Sequence, residues 1–358
     1  MKRRSFMAAV LLGAILPGVR AETYESGKII KEVQCFRDRS YSYMLYLPSG
    51  YTPDRAVKWP VVFAMDSKGG TEEDIKRYIE GAEKNNWIVA LSIQSKALSS
   101  ESAKAVAAMV GDVFARFAVD KERCYAAGMA GGARMAFWLA GKRRDNIIGI
   151  IPCGAGDVLH EYHGRALAYG LCGARSFSRW DMAITFNERI RSRGYLRFFP
   201  GEGLRADEEL VFDAITWLNG KYLSKKGSPG EIEQFSKMIY DEILEKYDAD
   251  PFSAYETATI LSWIPKTPPL ADNVKAMADK LEEGENIQLY IQGLKDMDGF
   301  VERHFNTKAG DCINNRLTRW QKEDADLLLA KYADTPLAPV IADFGKPSDK
   351  FERKAGTR

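Results

Sequence analysis

Histidine is scarce in this chain of 358 residues, and neither sign of charge dominates it. The three histidines are His160, His163 and His304, which restricts both histidine-ligated metal sites and catalysis by a histidine base. Lysine and arginine number 51 against 49 aspartates and glutamates, a net charge of +2. Nucleic-acid-binding proteins typically carry a strongly basic surface. We therefore expect no nucleic-acid partner, and we predict no metal and no other cofactor.

Cysteine is also sparse, with five residues whose spacing matches no zinc-binding pattern. An odd number leaves at least one thiol unpaired. Cys153 and Cys172 each lie at the carboxyl end of one of two neighbouring predicted strands, which makes them the candidate disulfide. Sequence alone does not fix the pairing, and the default role of each cysteine is that of a small buried hydrophobic residue.

No apolar run is long enough to cross a bilayer, for which about 20 residues are needed. A shorter apolar run at residues 7–16 follows the basic residues 2–4, and Val19-Arg20-Ala21 provides a small-residue cleavage site. We predict a signal peptide at residues 1–21, no transmembrane segment, and export to the periplasm or the medium. The residues RRSFM at 3–7 are typical of a twin-arginine signal, although an ordinary secretory signal explains them equally well.

Strand and helix patterns divide the chain into two parts. From Gly27 to about Leu223, short β-rich runs alternate with helical stretches, and the run PVVFAM at 60–65 is typical of a strand buried on both faces. This alternation predicts an α/β fold, a mostly parallel sheet with helices on both faces. After residues 225–230 only helical periodicity remains. We predict an α/β domain at 22–223, an all-α domain at 224–344 and a flexible tail at 345–358.

The chemistry is expected at the pentapeptide Gly128-Met129-Ala130-Gly131-Gly132, between a predicted strand and a predicted helix. A G-x-S-x-G sequence in that context forms the nucleophile elbow, a strained turn that exposes a serine above the sheet. Ala130 occupies the serine position and has no hydroxyl, so it cannot form an acyl-enzyme. A glycine-rich turn between a strand and a helix, without a catalytic function, explains the pentapeptide equally well.

A longer set of motifs favours the nucleophile elbow over a plain glycine-rich turn. The residues YLPSGY at 46–51, WPVVF at 59–63 and YAAGMAGGARMA at 125–136 resemble secreted α/β-hydrolases of the polyhydroxybutyrate-depolymerase and feruloyl-esterase type. The resemblance covers roughly residues 43–221, implies an α/β-hydrolase fold and says little about the substrate. It also implies a Ser-Asp-His triad, whose positions fall on Ala130, Ser176 and Gly203. All three triad residues are therefore expected to be lost.

Several residues near the ends of predicted strands are candidates for what remains of the cleft. For Asp66, a surface-loop carboxylate is favoured over a ligand-binding acid. Asp157, His160 and His163 are interpreted as loop or buried polar residues rather than as a displaced acid–base pair or metal ligands, because no known ligand spacing is present. The full candidate set is Asp66, Ser67, Met129, Gly131, Asp157 and His160.

These observations predict an exported α/β-hydrolase-fold protein that has lost its triad, without enzymatic activity. Its former cleft, at the carboxyl ends of the strands, would bind a small molecule, a glycan or a partner segment. One alternative is a working esterase whose nucleophile has moved to Ser67 or Ser176, with His160 as base. The other is an interaction module that acts through its helical half, where an extended apolar patch would mark the surface.

Overall fold

A computed structural model describes residues 24–157, 162, 164–261, 270–305 and 317–348 of the chain. The predicted signal peptide, His160, His163, Cys312 and residues 349–358 lie outside the described residues.

Eight strands form one sheet in the order β1-β2-β4-β3-β5-β6-β7-β8. The strands β1 and β2 are antiparallel to their neighbours, and β3 to β8 run parallel to one another. Every residue of β3 is buried, as its continuous apolar sequence predicts. The mostly parallel sheet expected from the sequence is confirmed. The strands are β1 Ile29–Gln34, β2 Ser42–Tyr46, β3 Trp59–Asp66, β4 Ile88–Ser92, β5 Val119–Met129, β6 Ile147–Cys153, β7 Leu167–Gly173 and β8 Gly194–Phe199.

Helices cover both faces of the sheet. On one face, α3, α4 and the helical segment after β7 pack against the core that contains Phe63 and Met135. On the other, α1, α2 and α6 pack against the core that contains Val62 and Ile215. The segment after β7 begins as α5 and continues as a π-helical turn at Thr185–Ile190 and a 3-10 turn at Arg191–Arg193. The helices of this part are α1 Glu72–Lys76, α2 Ile79–Asn85, α3 Ser100–Arg116, α4 Gly131–Lys142, α5 Arg179–Ile184 and α6 Glu208–Lys226.

The C-terminal region is helical, as predicted. The helices α7 to α9 enclose a core of their own around Phe235 and Ile239. The helices α10 to α12 share a core with α5, where Trp180 packs against Phe305 at a ring-centroid distance of 5.1 Å. The helices here are α7 Pro229–Lys246, α8 Pro251–Leu261, α9 Leu270–Glu282, α10 Glu285–Phe305, α11 Arg319–Lys331 and α12 Ala338–Phe344.

The structure departs from the sequence prediction just after α12. Residues 345–348, expected to begin a flexible tail, are held against the rest of the protein. The Arg179 guanidinium donates a hydrogen bond of 3.1 Å to the Lys346 carbonyl, and Ser348 is buried. A buried arginine supplies several donors, and the C-terminal backbone accepts from it.

Candidate functional site

The turn between β5 and α4 has the strained geometry of a nucleophile elbow. Ala130, at its apex, has φ 53° and ψ −121°, a conformation that favours glycine and costs a side-chain-bearing residue about 1–3 kcal/mol. Its N–H donates to the carbonyls of Cys153 at 2.8 Å and Leu204 at 3.0 Å, which hold the turn in place. A Cβ at Gly128 would lie 2.0 Å from the Gly132 carbonyl oxygen, so the tight turn requires glycine there.

The structure brings the turns after β7 and β8 together beside this elbow. A Cβ at Gly173 would lie 2.5 Å from the Gly203 nitrogen, which shows how closely the two backbones approach. The Arg175 N–H donates to the Gly201 carbonyl at 2.9 Å, and the Ser176 N–H to the Gly173 carbonyl at 2.8 Å. The three turns assigned to the triad by resemblance thus share the carboxyl edge of the sheet.

Ser176 and Gly203, the other two positions that the resemblance assigns to the triad, are both closely surrounded by neighbouring residues. Ser176 is 1% exposed, and its hydroxyl accepts a hydrogen bond of 3.1 Å from the Ser178 N–H. The Ser176 side chain is therefore buried in the turn that follows β7. Gly203 has no side chain, and a Cβ there would lie 2.2 Å from the Phe199 ring. The Phe199 ring therefore occupies the space that the side chain of a catalytic base at position 203 would need.

A cavity of about 500 Å³ lies above the elbow. Two guanidinium groups line it, and each is paired with an acid: Arg134 with Asp181 at 3.3 Å and Arg175 with Glu202 at 2.9 Å. Phe177, which is 41% exposed, adds an apolar surface. The first helical residue of α4 also lines the cavity, so the positive end of the helix dipole faces it.

The prediction that Asp66 is a surface-loop carboxylate is wrong, because its side chain is buried. It ends β3, is 1% exposed, and is paired through both oxygens with Arg205 of the turn after β8. Arg205 Nε lies 2.9 Å from Asp66 Oδ2 and Nη2 lies 2.6 Å from Oδ1. Oδ1 also accepts the Lys68 N–H at 2.9 Å. The negative charge is therefore compensated, and the pair ties the turn after β8 to the loop after β3.

Of the remaining cleft candidates, the structure brings Ser67 and Gly131 together. Ser67 and Gly131 are neighbours, because a Cβ at Gly131 would lie 3.1 Å from Ser67 Cβ. Met129 lies in the hydrophobic core beneath the sheet rather than in the cavity. Asp157 is buried, and its N–H donates to the Thr185 hydroxyl at 2.8 Å. His160 lies outside the described residues.

The predicted disulfide between Cys153 and Cys172 does not form. In the parallel pairing of β6 and β7, Cys153 lies opposite Leu171, so Cys172 is one position further and its side chain points to the other face. The two thiols belong to different hydrophobic cores, and both are free. Burial raises the pKa of Cys153 to about 12 and that of Cys172 well above its usual value.

Three residues of the site escaped the sequence analysis, and each carries a signal that was available. Arg134 lies one helical turn after the elbow, on the side of α4 that faces the cavity. Arg175 precedes Ser176 in the turn after β7, and Arg205 follows Gly203 by two positions. Each of the three arginines thus lies within four positions of Ala130, Ser176 or Gly203 in the sequence.

Two findings concern the described residues alone. Within those ranges, no helix combines the length and the apolar character that crossing a bilayer requires. No three or more His, Cys, Asp or Glu side chains of the same ranges are grouped so that they could hold a metal ion.

The eight-stranded sheet, the strained elbow at the carboxyl end of β5 and the helix that follows it are those of an α/β-hydrolase fold, to which a C-terminal helical region is added.

Comparison with solved structures finds proteins similar to this chain. No protein-family model matches it, and no curated protein matches it significantly in sequence. Among similar solved structures is FphF, a fluorophosphonate-binding serine hydrolase of Staphylococcus aureus, with 14% identity over 54% of this chain and 99% of that chain and a TM-score of 0.44. The S-formylglutathione hydrolase FrmB from the same organism has 13% identity over 55% of this chain and 98% of that chain, with a TM-score of 0.43. A ferulic acid esterase from Anaeromyces mucronatus has 13% identity over 56% of this chain and 91% of that chain, with a TM-score of 0.37.

Proposed function

We propose that this protein is a non-catalytic α/β-hydrolase-fold protein that binds a small carboxylate in the cavity above its elbow. One observation carries the proposal: the elbow keeps its strained geometry with Ala130 at the apex, while two arginines line the cavity above it. A binding protein needs the cavity and its cations, and it does not need the nucleophile.

Acyl transfer on this fold requires a nucleophile activated by an adjacent base. Ala130 supplies no hydroxyl, Ser176 is buried, and Gly203 supplies no base. Among the described residues the one histidine is His304, whose Nε2 lies 2.8 Å from Asp324 in the helical region. These contacts support a protein that has lost catalysis.

A carboxylate fits the chemistry of the cavity. A guanidinium presents five N–H donors in a planar fork, so Arg134 can hold Asp181 and a ligand oxygen at the same time. Ala130 provides no side-chain cap for α4, and the Gly131 and Gly132 N–H groups precede the hydrogen bond of 3.0 Å from the Ala133 N–H to the Ala130 carbonyl. Phe177 offers an apolar surface beside them. Together these groups favour a ligand that joins a carboxylate to an apolar body.

Isothermal titration with benzoate and its uncharged analogue benzamide tests this proposal. Benzoate should bind saturably and at least about tenfold more tightly than benzamide, since hydrogen bonds to a charged group contribute about 1.5–3 kcal/mol. Arg134→Gln should weaken benzoate binding about tenfold. Lys142→Gln, which removes an exposed cation at the far end of the same helix, serves as the matched control and should change nothing. Equal binding of both compounds would contradict the proposal, and so would binding of a glycan or a peptide alone.

One observation favours a second candidate function. A Cβ at Gly131 would lie 3.1 Å from Ser67 Cβ, so Ser67 lies beside the residue that follows Ala130. The alternative is an esterase that uses Ser67 with His160. Saturable hydrolysis of 4-nitrophenyl acetate that is abolished by Ser67→Ala and by His160→Ala would establish it. We expect no turnover above the buffer rate.

The interaction-module alternative stays a prediction. Trp320 and Leu327 on α11 are 61% and 70% exposed, seven positions apart on one helix face.

We also propose that the protein is exported after cleavage behind Ala21. The basic residues, the short apolar run and the small-residue site occur together at the N-terminus, which supports this. N-terminal sequencing of the protein recovered from the cell envelope or medium should begin at Glu22. A protein that retains Met1 in the cytoplasm would contradict it.

A further inference from the structure

A small cavity lies at the edge of the sheet opposite the elbow, where α7 packs against the α/β part of the chain. Pro60 at the start of β3, Arg123 near the start of β5 and Phe235 of α7 line it. Its volume of about 30 Å³ exceeds the about 10–15 Å³ that one water molecule needs and is far below the about 300 Å³ of a typical small-molecule site. A small inorganic ion fits this size. No residue of the elbow cavity lines it.

Cations outnumber acids around this cavity. The described residues that line it include four cations, Arg55, Lys58, Lys84 and Arg123, and one acid, Glu231. Lys84 is paired outside the cavity, with Glu80 at 3.3 Å and with Glu242. Arg55 is half-buried, Lys58 is exposed, and neither makes an ion pair with a described residue. The lining therefore carries positive charge that the described chain does not compensate.

Arg123 is the buried cation of this set, and one of its donors is unused. Its side chain is 5% exposed, Nη1 donates to Glu231 Oε1 at 2.7 Å, and Nη2 donates to Asn219 Oδ1 at 2.6 Å. Nε is buried as well and has no hydrogen-bond partner among the described residues. Buried donors in native proteins nearly always have a partner. This N–H therefore indicates an acceptor that the described chain does not supply.

Buried amides hold Arg123 in this position. The Asn219 amide nitrogen donates to Asn85 Oδ1 at 2.8 Å, and the Asn85 amide nitrogen donates to the Thr216 hydroxyl at 3.1 Å. The Tyr222 ring lies 4.2 Å from the guanidinium carbon. The guanidinium is thus fixed before a ligand arrives, so binding costs little conformational entropy.

We propose that this cavity binds a tetrahedral oxyanion, phosphate or sulfate, with Arg123 as the buried anchor and Arg55 and Lys58 on the solvent side. Guanidinium groups match the paired oxygens of such an anion, and lysines bind it as point charges. The bound anion would accept from Arg123 Nε and would compensate the two unpaired cations. Because Glu231 and Phe235 belong to α7, it would also connect the helical region to the sheet.

Isothermal titration of the full chain with inorganic phosphate at neutral pH tests this inference. Sodium chloride keeps the ionic strength constant, so general screening of surface charge does not change during the titration. Phosphate should bind saturably, with a Kd of about 1 mM or lower. Arg55→Gln and Lys58→Gln should each weaken it about threefold to tenfold, because each removes a charged donor. Neither replacement strands a paired acid, so both variants should fold as the unmodified protein does.

Arg123→Lys tests the buried anchor. It keeps the positive charge and removes Nε, so phosphate should bind about tenfold more weakly or worse. Lys104→Gln, which removes an exposed cation of α3 outside the cavity, is the matched control and should leave the affinity unchanged. If Arg123→Lys does not fold, Arg55→Gln and Lys58→Gln decide the outcome.

The absence of saturation up to about 10 mM phosphate, tenfold above the Kd of about 1 mM, would overturn the inference. So would phosphate binding that Arg55→Gln and Lys58→Gln leave unchanged. Phosphate that binds at the elbow instead would be weakened by Arg134→Gln, which should have no effect here. Benzoate is too large for a cavity of about 30 Å³ and reports on the elbow alone. Failure of either proposal therefore leaves the other standing.

Discussion

Replacing Arg205 with methionine should destabilise the protein strongly, because it strands a buried negative charge. Asp66 has a side chain that is 1% exposed, and Arg205 is its ion-pair partner. Methionine keeps most of the length of the arginine side chain and removes only the guanidinium. The carboxylate would keep the Lys68 N–H as a hydrogen-bond donor and lose both contacts to Arg205.

The magnitude follows from the burial of the two partners. Removing one member of a fully buried pair costs about 3–5 kcal/mol. The Arg205 side chain is 28% exposed, so water reaches the pair from one side, and we take the lower end, about 3 kcal/mol. Spread over a chain of this size, that loss lowers the Tm by about 4 °C.

Urea denaturation of a double-mutant cycle measures the effect. Asp66→Asn removes the charge and keeps the shape, so it should cost only about 1–2 kcal/mol. The double variant with Asp66→Asn and Arg205→Met should be more stable than Arg205→Met alone, because no charge is left unpaired. A loss below about 1 kcal/mol in Arg205→Met, or a double variant as unstable as the sum of the singles, would refute the reasoning.

Three further predictions concern strain, titration and thiols. Ala130→Val should be about 1–3 kcal/mol less stable than Ala130→Gly by urea denaturation, since a β-branched residue tolerates a positive φ worst; equal stabilities would contradict the elbow strain. Burial raises the pKa of Asp213 from 3.8 to about 6, so the folded state holds a proton that the unfolded chain releases. Stability should therefore fall as pH rises from about 4 to about 6, and Asp213→Asn should remove that slope from urea midpoints. Cys153 and Cys172 should be alkylated only after unfolding, as read by peptide mapping; a disulfide between them would contradict the strand register.

The α/β architecture could be predicted because its signals are local. The apolar run of β3 and the glycines on both sides of Ala130 reflect sterics within a few residues. The contacts that shape the site are not local: Asp66 and Arg205 are 139 positions apart, and nothing in either segment marks the other as a partner. The surface-loop interpretation of Asp66 was wrong for that reason.

The disulfide prediction failed for a related reason. The ends of neighbouring strands were identified correctly, but the register between β6 and β7 was not encoded in either segment. A shift of one residue moves a side chain to the opposite face of a sheet, and Cys172 is one residue beyond the position opposite Cys153.

Intact-protein mass spectrometry after exposure to a fluorophosphonate probe tests the central claim most directly. The probe reacts with a serine that a neighbouring base activates and leaves other serines unmodified. A protein whose elbow holds Ala130 should therefore keep its unmodified mass at neutral pH. Ala130→Ser should also stay unmodified, because Gly203 leaves the new hydroxyl without a base. A stoichiometric adduct on the unmodified sequence, mapped to Ser67 and lost in Ser67→Ala, would contradict the account.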